Sequence, residues 1–210
     1  MSTKRNEAPL IWIDCEMTGL DVHCDELIEV AVVPTDANLK PLDAGIDLAI
    51  QPSSAALEQM NDFVRNMHEA SGLLEELENG FLLAEAETIV LDYIKKYVPE
   101  PGLGLLAGNS IWSDRKFLDV YMPQVTRHLH YRMLDVSSLK ELARRWYPRV
   151  FVCAPQKKGG HRALADIRES IQELEYYRRT LFPSELIPRH GAYTELAAQV
   201  AADVQQNWVG

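Results

Sequence analysis

The chain has 210 residues, 47% of them hydrophobic, and a formal net charge of −10. That is enough apolar content for one α/β domain with a sizeable core and a modest appendage, while no run approaches the ~20 apolar residues a bilayer-spanning helix needs. A protein that grips a long polyanion shows a basic face, so an excess of 31 acidic over 21 basic residues points to a short anionic substrate or to local basic clusters.

Residues 10–13 form a short apolar run, read as a buried strand that delivers Asp14 and Glu16 at its end. Residues 26–33 predict a second strand, stopped by Pro34, and residues 44–50 a third. The turn-forming stretch 36–38 between them makes the strands antiparallel. Residues 53–60 and 62–70 read as short helices ending at Gly72. Ile89, Val90, Tyr93, Ile94 and Tyr97 recur at helical spacing, which predicts a helix over 84–97, closed by Pro99. A short strand at 105–108 runs into Asn109 and Ser110, and Ser113 is expected to cap a helix through about 121. A strand at 132–136 follows, then a helix from Ser137 to about 147 with Ser138 and Glu141 as a capping box. Residues 150–160 read as a mobile loop and 163–181 as a long amphipathic helix. Three antiparallel strands followed by alternating helices and parallel strands make a mixed five-stranded sheet flanked by helices. The expected domain covers 8–182, and 183–210 is an extension with a marginal alanine-rich helix at 194–208. Cys15, Cys24 and Cys153 are odd in number and form no C-x-x-C pair, and the N-terminus lacks a signal-peptide core, so a cytoplasmic protein is expected.

Asp14 and Glu16 stand two apart on a strand, so both point to one face while Cys15 points into packing. Two adjacent carboxylates resist joint ionisation unless a cation lies between them, and magnesium prefers such oxygen ligands. An exposed acidic turn is the plainer account of the pair. Asp114 reads as a first-turn helix residue, but Gly108, Asn109 and Ser110 precede it at a strand end, where α/β sheets build sites. His161 follows two glycines at a loop-to-helix junction, with Asp166 inside the helix. A histidine of near-neutral pKa there can take a proton from water; otherwise it is a solvated histidine. Arg144, Arg145 and Arg149, then Lys157, Lys158 and Arg162, then Arg178 and Arg179, are the local basic clusters.

Taken together, D-x-E on the first strand, a middle aspartate after Gly-Asn-Ser, and a late H-x-x-x-x-D resemble the DEDDh 3′-to-5′ exonucleases, which have an RNase H-like fold. Residues 13–20 (Ile-Asp-Cys-Glu-Met-Thr-Gly-Leu), 68–73, 108–111 and above all 130–146 (His-Tyr-Arg-Met-Leu-Asp-Val-Ser-Ser-Leu-Lys-Glu-Leu-Ala-Arg-Arg-Trp) resemble the oligoribonucleases more narrowly. The resemblance covers about 10–182. It implies that Asp14, Glu16, Asp114 and Asp166 hold two Mg²⁺ or Mn²⁺ ions and that His161 deprotonates the attacking water. It implies very short RNA and linear dinucleotides as substrates, with a 5′-phosphate cap at Ser110, Arg132, Ser137 and Ser138, and no stable complex with long nucleic acid. An arginine and hydroxyls at a helix start can enclose a terminal phosphate, although Ser137 and Ser138 also serve as plain helix caps. It further implies a homodimer in which Tyr131 reaches the partner's site, and a Leu20 wedge between the two bases. Phe63 stands where the family often has Trp, leaving a smaller π face for stacking. His68 also matches a family position, without an assigned role. Two other readings stay open: a general DEDDh exonuclease trimming longer ends, and a non-catalytic nucleotide-binding module.

Overall fold

The structure is a computed structural model describing residues 8–156, 160–182 and 199–200. Two compact units are distinguished, Met1–Tyr177 and Arg178–Gly210. Apart from residues 199–200, the expected extension lies outside the described residues.

The first unit holds five strands in the order β3-β2-β1-β4-β5. They are β1 (Leu10–Met17), β2 (Leu27–Thr35), β3 (Ile46–Ala49), β4 (Leu105–Gly108) and β5 (Met133–Asp135). β2 runs antiparallel to β1 and β3, while β4 runs parallel to β1 and β5. This is the expected mixed, RNase H-like sheet. Ile11, Ile13 and Cys15 of β1 enter a core with Val30, Val32 and Leu48. The opposite side of β1 carries Trp12, whose Nε1–H donates to Thr35 Oγ1 at 3.0 Å, then Asp14 and Glu16. One strand thus feeds the core with one face and the site with the other.

The helices are α1 (Ser54–Gln59), α2 (Asp62–Ala70), α3 (Leu73–Leu77), α4 (Leu83–Tyr97), α5 (Ile111–Tyr121), α6 (Pro123–His128), α7 (Val136–Trp146), α8 (Pro148–Val152) and α9 (Ala163–Leu181). α4 covers the core face with Val90, Tyr93 and Ile94, joined there by Ile111 and Leu118 of α5. Leu73 and Leu77 of α3 pack with Met60 and Ile28 in a second cluster. Among the described residues, no helix is long and apolar enough to cross a membrane.

Several expected boundaries move. Pro34 does not stop β2, which continues to Thr35. β3 has already ended at that level, and the Pro34 carbonyl accepts the Leu42 amide, so the missing N–H faces a loop and no ladder bond is lost. α5 begins at Ile111 and not at Ser113; Ser110 precedes it with φ 51° and makes no side-chain cap. α7 is capped by Asp135, which accepts the Ser137 amide, while Glu141 turns to Arg144 and Arg145 and forms no capping box. α3, α6 and α8 are short helices absent from the sequence reading. α8 occupies the start of the loop expected at 150–160, and residues 157–159 lie outside the described residues.

Candidate active site

The site forms where β1, β4 and β5 end. β4 stops at Gly108, so the next outward-facing amide of β1 needs another partner. The Cys15 N–H donates to Asp114 Oδ1 at 3.0 Å, which brings the α5 carboxylate against the segment between Asp14 and Glu16. A side chain at Gly108 would block that approach, since a Cβ there would lie 3.1 Å from the Ile13 carbonyl oxygen and 2.9 Å from Ile111 Cδ1. α9 supplies the third segment. Carboxylate oxygens of Asp14, Glu16 and Asp166 all lie within 4.8 Å of one another.

This crowding carries an electrostatic cost. Burial, then Glu29, Asp166 and Asp114, pushes the Glu16 carboxyl up to about 8, opposed by Arg162. Burial also pushes Asp114 up to about 7, against the pull of its own amide and that of Cys15. An all-oxygen set whose members resist ionising together fits a hard divalent cation.

Around the acids stands a supporting layer. Glu29 lies opposite Glu16 on β2 and is fully buried. Its carboxylate accepts Arg162 Nε–H at 2.8 Å and the Ala163 amide at 3.0 Å. Burial nonetheless raises the Glu29 carboxyl to about 7, with Ala163 and Arg162 opposing. His68 of α2 is also fully buried. Its Nε2 lies 2.9 Å from the Met17 carbonyl, which can only accept, so Nε2 carries the proton. Its Nδ1 has no hydrogen-bond partner and lies 4.0 Å from Glu16 Oε2. Burial holds His68 below its ordinary range.

His161 lies outside the carboxylate cluster. It is exposed, has φ 48°, and lines a cavity of about 470 Å³ together with Phe63, Met67 and Ser71. The expected base and the expected stacking aromatic therefore share one cavity. Leu20 is exposed beyond the end of β1, on a turn tied by Thr18 and Asp25. Ser110 and Ser137 come together: the Ser110 amide donates to Asp135 Oδ1 at 2.9 Å and to Ser137 Oγ at 2.8 Å, and the two hydroxyls stand 3.1 Å apart. Ser137 donates to Asn109 Oδ1, and Asn109 Nδ2 donates to Ser170 and Glu173 of α9. Ser138 is exposed beside them. Arg132 is not brought to these serines within the chain. It precedes β5, whereas Ser137 follows it, and it lines a cavity of about 380 Å³ with Leu103 and Leu105. Its guanidinium sits 5.5 Å over the exposed Tyr131 ring.

Sequence reasoning passed over Glu29 and Glu173 as site-supporting groups, and placed Asn109 at the strand end without its bonds to Ser137, Ser170 and Glu173. Glu29 had a signal, because a charged residue inside an apolar strand demands a buried partner. Glu173 had one too: Asp166, Ser170, Glu173 and Tyr177 recur on one helical face.

A family model described as "Exonuclease" matches residues 11–174. The oligoribonuclease of Leifsonia xyli is 54% identical over 199 residues, covering 95% of this chain and 94% of the relative. That of Mycobacterium leprae is 53% identical over 196 residues, covering 93% and 89%. Exonuclease I of E. coli, solved in complex with an oligonucleotide, aligns with TM-score 0.63 at 12% identity, covering 82% of this chain and 41% of that one. The exonuclease I of Methylocaldum szegediense aligns with TM-score 0.59 at 19% identity, with coverages of 82% and 41%. This chain thus matches about two fifths of those longer proteins and shares their fold.

Proposed function

The chain belongs to the oligoribonucleases of the exonuclease family, a group of nuclease hydrolases, and on that premise we propose that it is a metal-dependent 3′-to-5′ exoribonuclease cutting dinucleotides and other very short RNAs to nucleoside 5′-monophosphates. The observation that carries this reading is the convergence of Asp14, Glu16 and Asp166, with Asp114 bonded to the Cys15 amide between the first two. These four residues would hold two divalent cations, Mg²⁺ or Mn²⁺. When bound, such cations activate water and offset the charge gathering on the scissile phosphate.

The rest falls to the chain's own side chains. His161 takes the proton of the attacking water on an imidazole nitrogen. The water oxygen bonds to phosphorus, the bond from phosphorus to the preceding nucleotide's 3′ oxygen breaks, and that oxygen leaves as a hydroxyl after taking a proton. Phe63 offers a π face to the 3′ base beside His161, and Leu20 separates the two bases. Ser110, Ser137 and Ser138 bind the substrate's 5′ phosphate and block a longer strand. Tyr131 and Arg132, packed against each other at the start of β5, serve as one unit that reaches the partner's site in a homodimer, which completes the cap.

A time course with Mg²⁺ and 5′-labelled RNAs of two to seven nucleotides tests the reading. The dinucleotide should be consumed far faster than the rest. Longer RNAs cut as fast, with dinucleotides accumulating, would exclude the cap and leave a general exonuclease. A preparation inactive with Mg²⁺ on every length would favour a binding module.

A further inference from the structure

Arg162 stands between two residues that the proposed function uses, His161 immediately before it and Asp166 in the first turn of α9 after it. Its guanidinium turns to acids outside the proposed ligand set. Nε–H donates to Glu29 Oε1 at 2.8 Å, while Nη1 and Nη2 donate to the two Glu76 oxygens at 2.7 and 2.9 Å. Nη2 also lies 3.9 Å from Asp47 Oδ2. The second Glu29 oxygen accepts the Ala163 amide at 3.0 Å, and the Arg162 carbonyl accepts the amides of Ala165 and Asp166, both at 3.0 Å.

These bonds answer a local need. Gly160 immediately precedes His161 and, lacking a side chain, adds no stiffness to the approach to α9. His161 adopts a left-handed φ of 48°, which a non-glycine residue keeps only when its surroundings enforce it. Glu29 is fully buried and needs donors. Two donors to its carboxylate, the Arg162 Nε–H and the Ala163 amide, come from residues 162–163, and Glu29 sits opposite Glu16 in the sheet. The strand pair that carries Glu16 is therefore bonded directly to the segment that carries His161 and Asp166.

We propose that Arg162 is a positioning residue, which through Glu29 and Glu76 holds His161 and Asp166 in register with Asp14 and Glu16. The proposal rests on the exoribonuclease reading above.

The test uses the full chain with Arg162→Ala, Arg162→Lys and Glu76→Gln. Kinetics are measured on a diribonucleotide with Mg²⁺, and metal binding by Mn²⁺ titration calorimetry. Arg162→Ala should lower kcat on the order of 10- to 100-fold and raise the Mn²⁺ dissociation constant about tenfold, with KM changing by less than about threefold. Arg162→Lys should recover part of kcat, because an ammonium can reach one carboxylate but cannot fork across two. Glu76 is half-exposed, so Glu76→Gln should fold and show a smaller loss in the same direction. If kcat and Mn²⁺ affinity both stay within about twofold of wild type in Arg162→Ala, or only the melting temperature falls, the proposal is overturned. Lost kcat with unchanged Mn²⁺ affinity overturns the Asp166 half and leaves the His161 half standing. Should Arg162→Ala not fold, an unchanged kcat in Glu76→Gln is the overturning result. Wild-type protein inactive on the diribonucleotide defeats the exoribonuclease reading instead. The Mn²⁺ titration then decides alone, and an affinity unchanged in Arg162→Ala overturns the positioning of Asp166.

Discussion

At the scale of single residues, His161 stands outside the cluster of Asp14, Glu16 and Asp166, so the proposed function assigns proton transfer and metal holding to separate groups. His161→Ala should lower kcat by about 10²- to 10⁴-fold while Mn²⁺ still binds. Calorimetry showing the metal lost in this variant would contradict the role. The acids themselves predict a pH dependence. Glu16, at about 8, and Asp114, at about 7, both sit above the ordinary carboxylate range. The folded, metal-free protein therefore binds more protons than the unfolded chain between about pH 4.5 and 8. Its stability contribution from these groups is full at the acid end and is lost as pH rises. Thermal melts of metal-free protein should fall from pH 5 to 8, and the gain on adding Mn²⁺ should widen over the same interval. A metal-free melting temperature that climbs with pH would show that the acids are not crowded in this way.

At the scale of elements, the ends of β4 and β5 decide where the serines stand. Asp135 closes β5, caps α7 and accepts the Ser110 amide with the same oxygen. Asp135→Ala should cost about 1 kcal/mol or somewhat more through the lost cap, read as a lower urea midpoint at constant m-value. It should also weaken binding of 5′-phosphorylated dinucleotides, because Ser110 and Ser137 lose their common anchor. Asp135→Asn keeps a carbonyl acceptor and should retain most of the stability. If alanine leaves both midpoint and binding unchanged, Asp135 is not the anchor. The capping box placed at Ser138 and Glu141 failed for a physical reason. Asp135 lies one residue before the helix and offers a charged acceptor, while Glu141 has arginines within reach on its own helix.

At the scale of the whole molecule, charge and surface set the partners. A protein of net charge −10 that engages one or two phosphates should show a shallow salt dependence. Between 50 and 200 mM salt, dinucleotide affinity should weaken only about three- to sevenfold. A loss of a hundredfold or more would mean an extended phosphate track. Tyr131, Met133, Leu142, Trp146, Tyr147 and Val152 are large apolar side chains left exposed around β5, α7 and α8, a composition that suits a surface covered by a second copy. Sedimentation should show a dimer. Tyr131→Ala should lose activity with its metal affinity intact, whereas a fully active monomer would defeat the cross-subunit role.

By itself the sequence determined what depends on short-range pattern. The apolar run before Asp14 made β1, the alternation after it aimed Asp14 and Glu16 to one face, and the helical period of 84–97 made α4, because strand and helix repeats bring side chains to one face through local geometry. The motif set around those acids also carried the resemblance to the family. What only the tertiary structure decided is which distant groups share a site. Asp114 meets the Cys15 amide across 99 residues, Arg162 meets Glu29 across 133, and Arg132 stays with Tyr131 at the start of β5, before the strand that leads to Ser137. No local period encodes such pairs. They arise because burying the sheet leaves particular amides and carboxylates without water, and each must be met by whatever donor or acceptor the packing brings within reach.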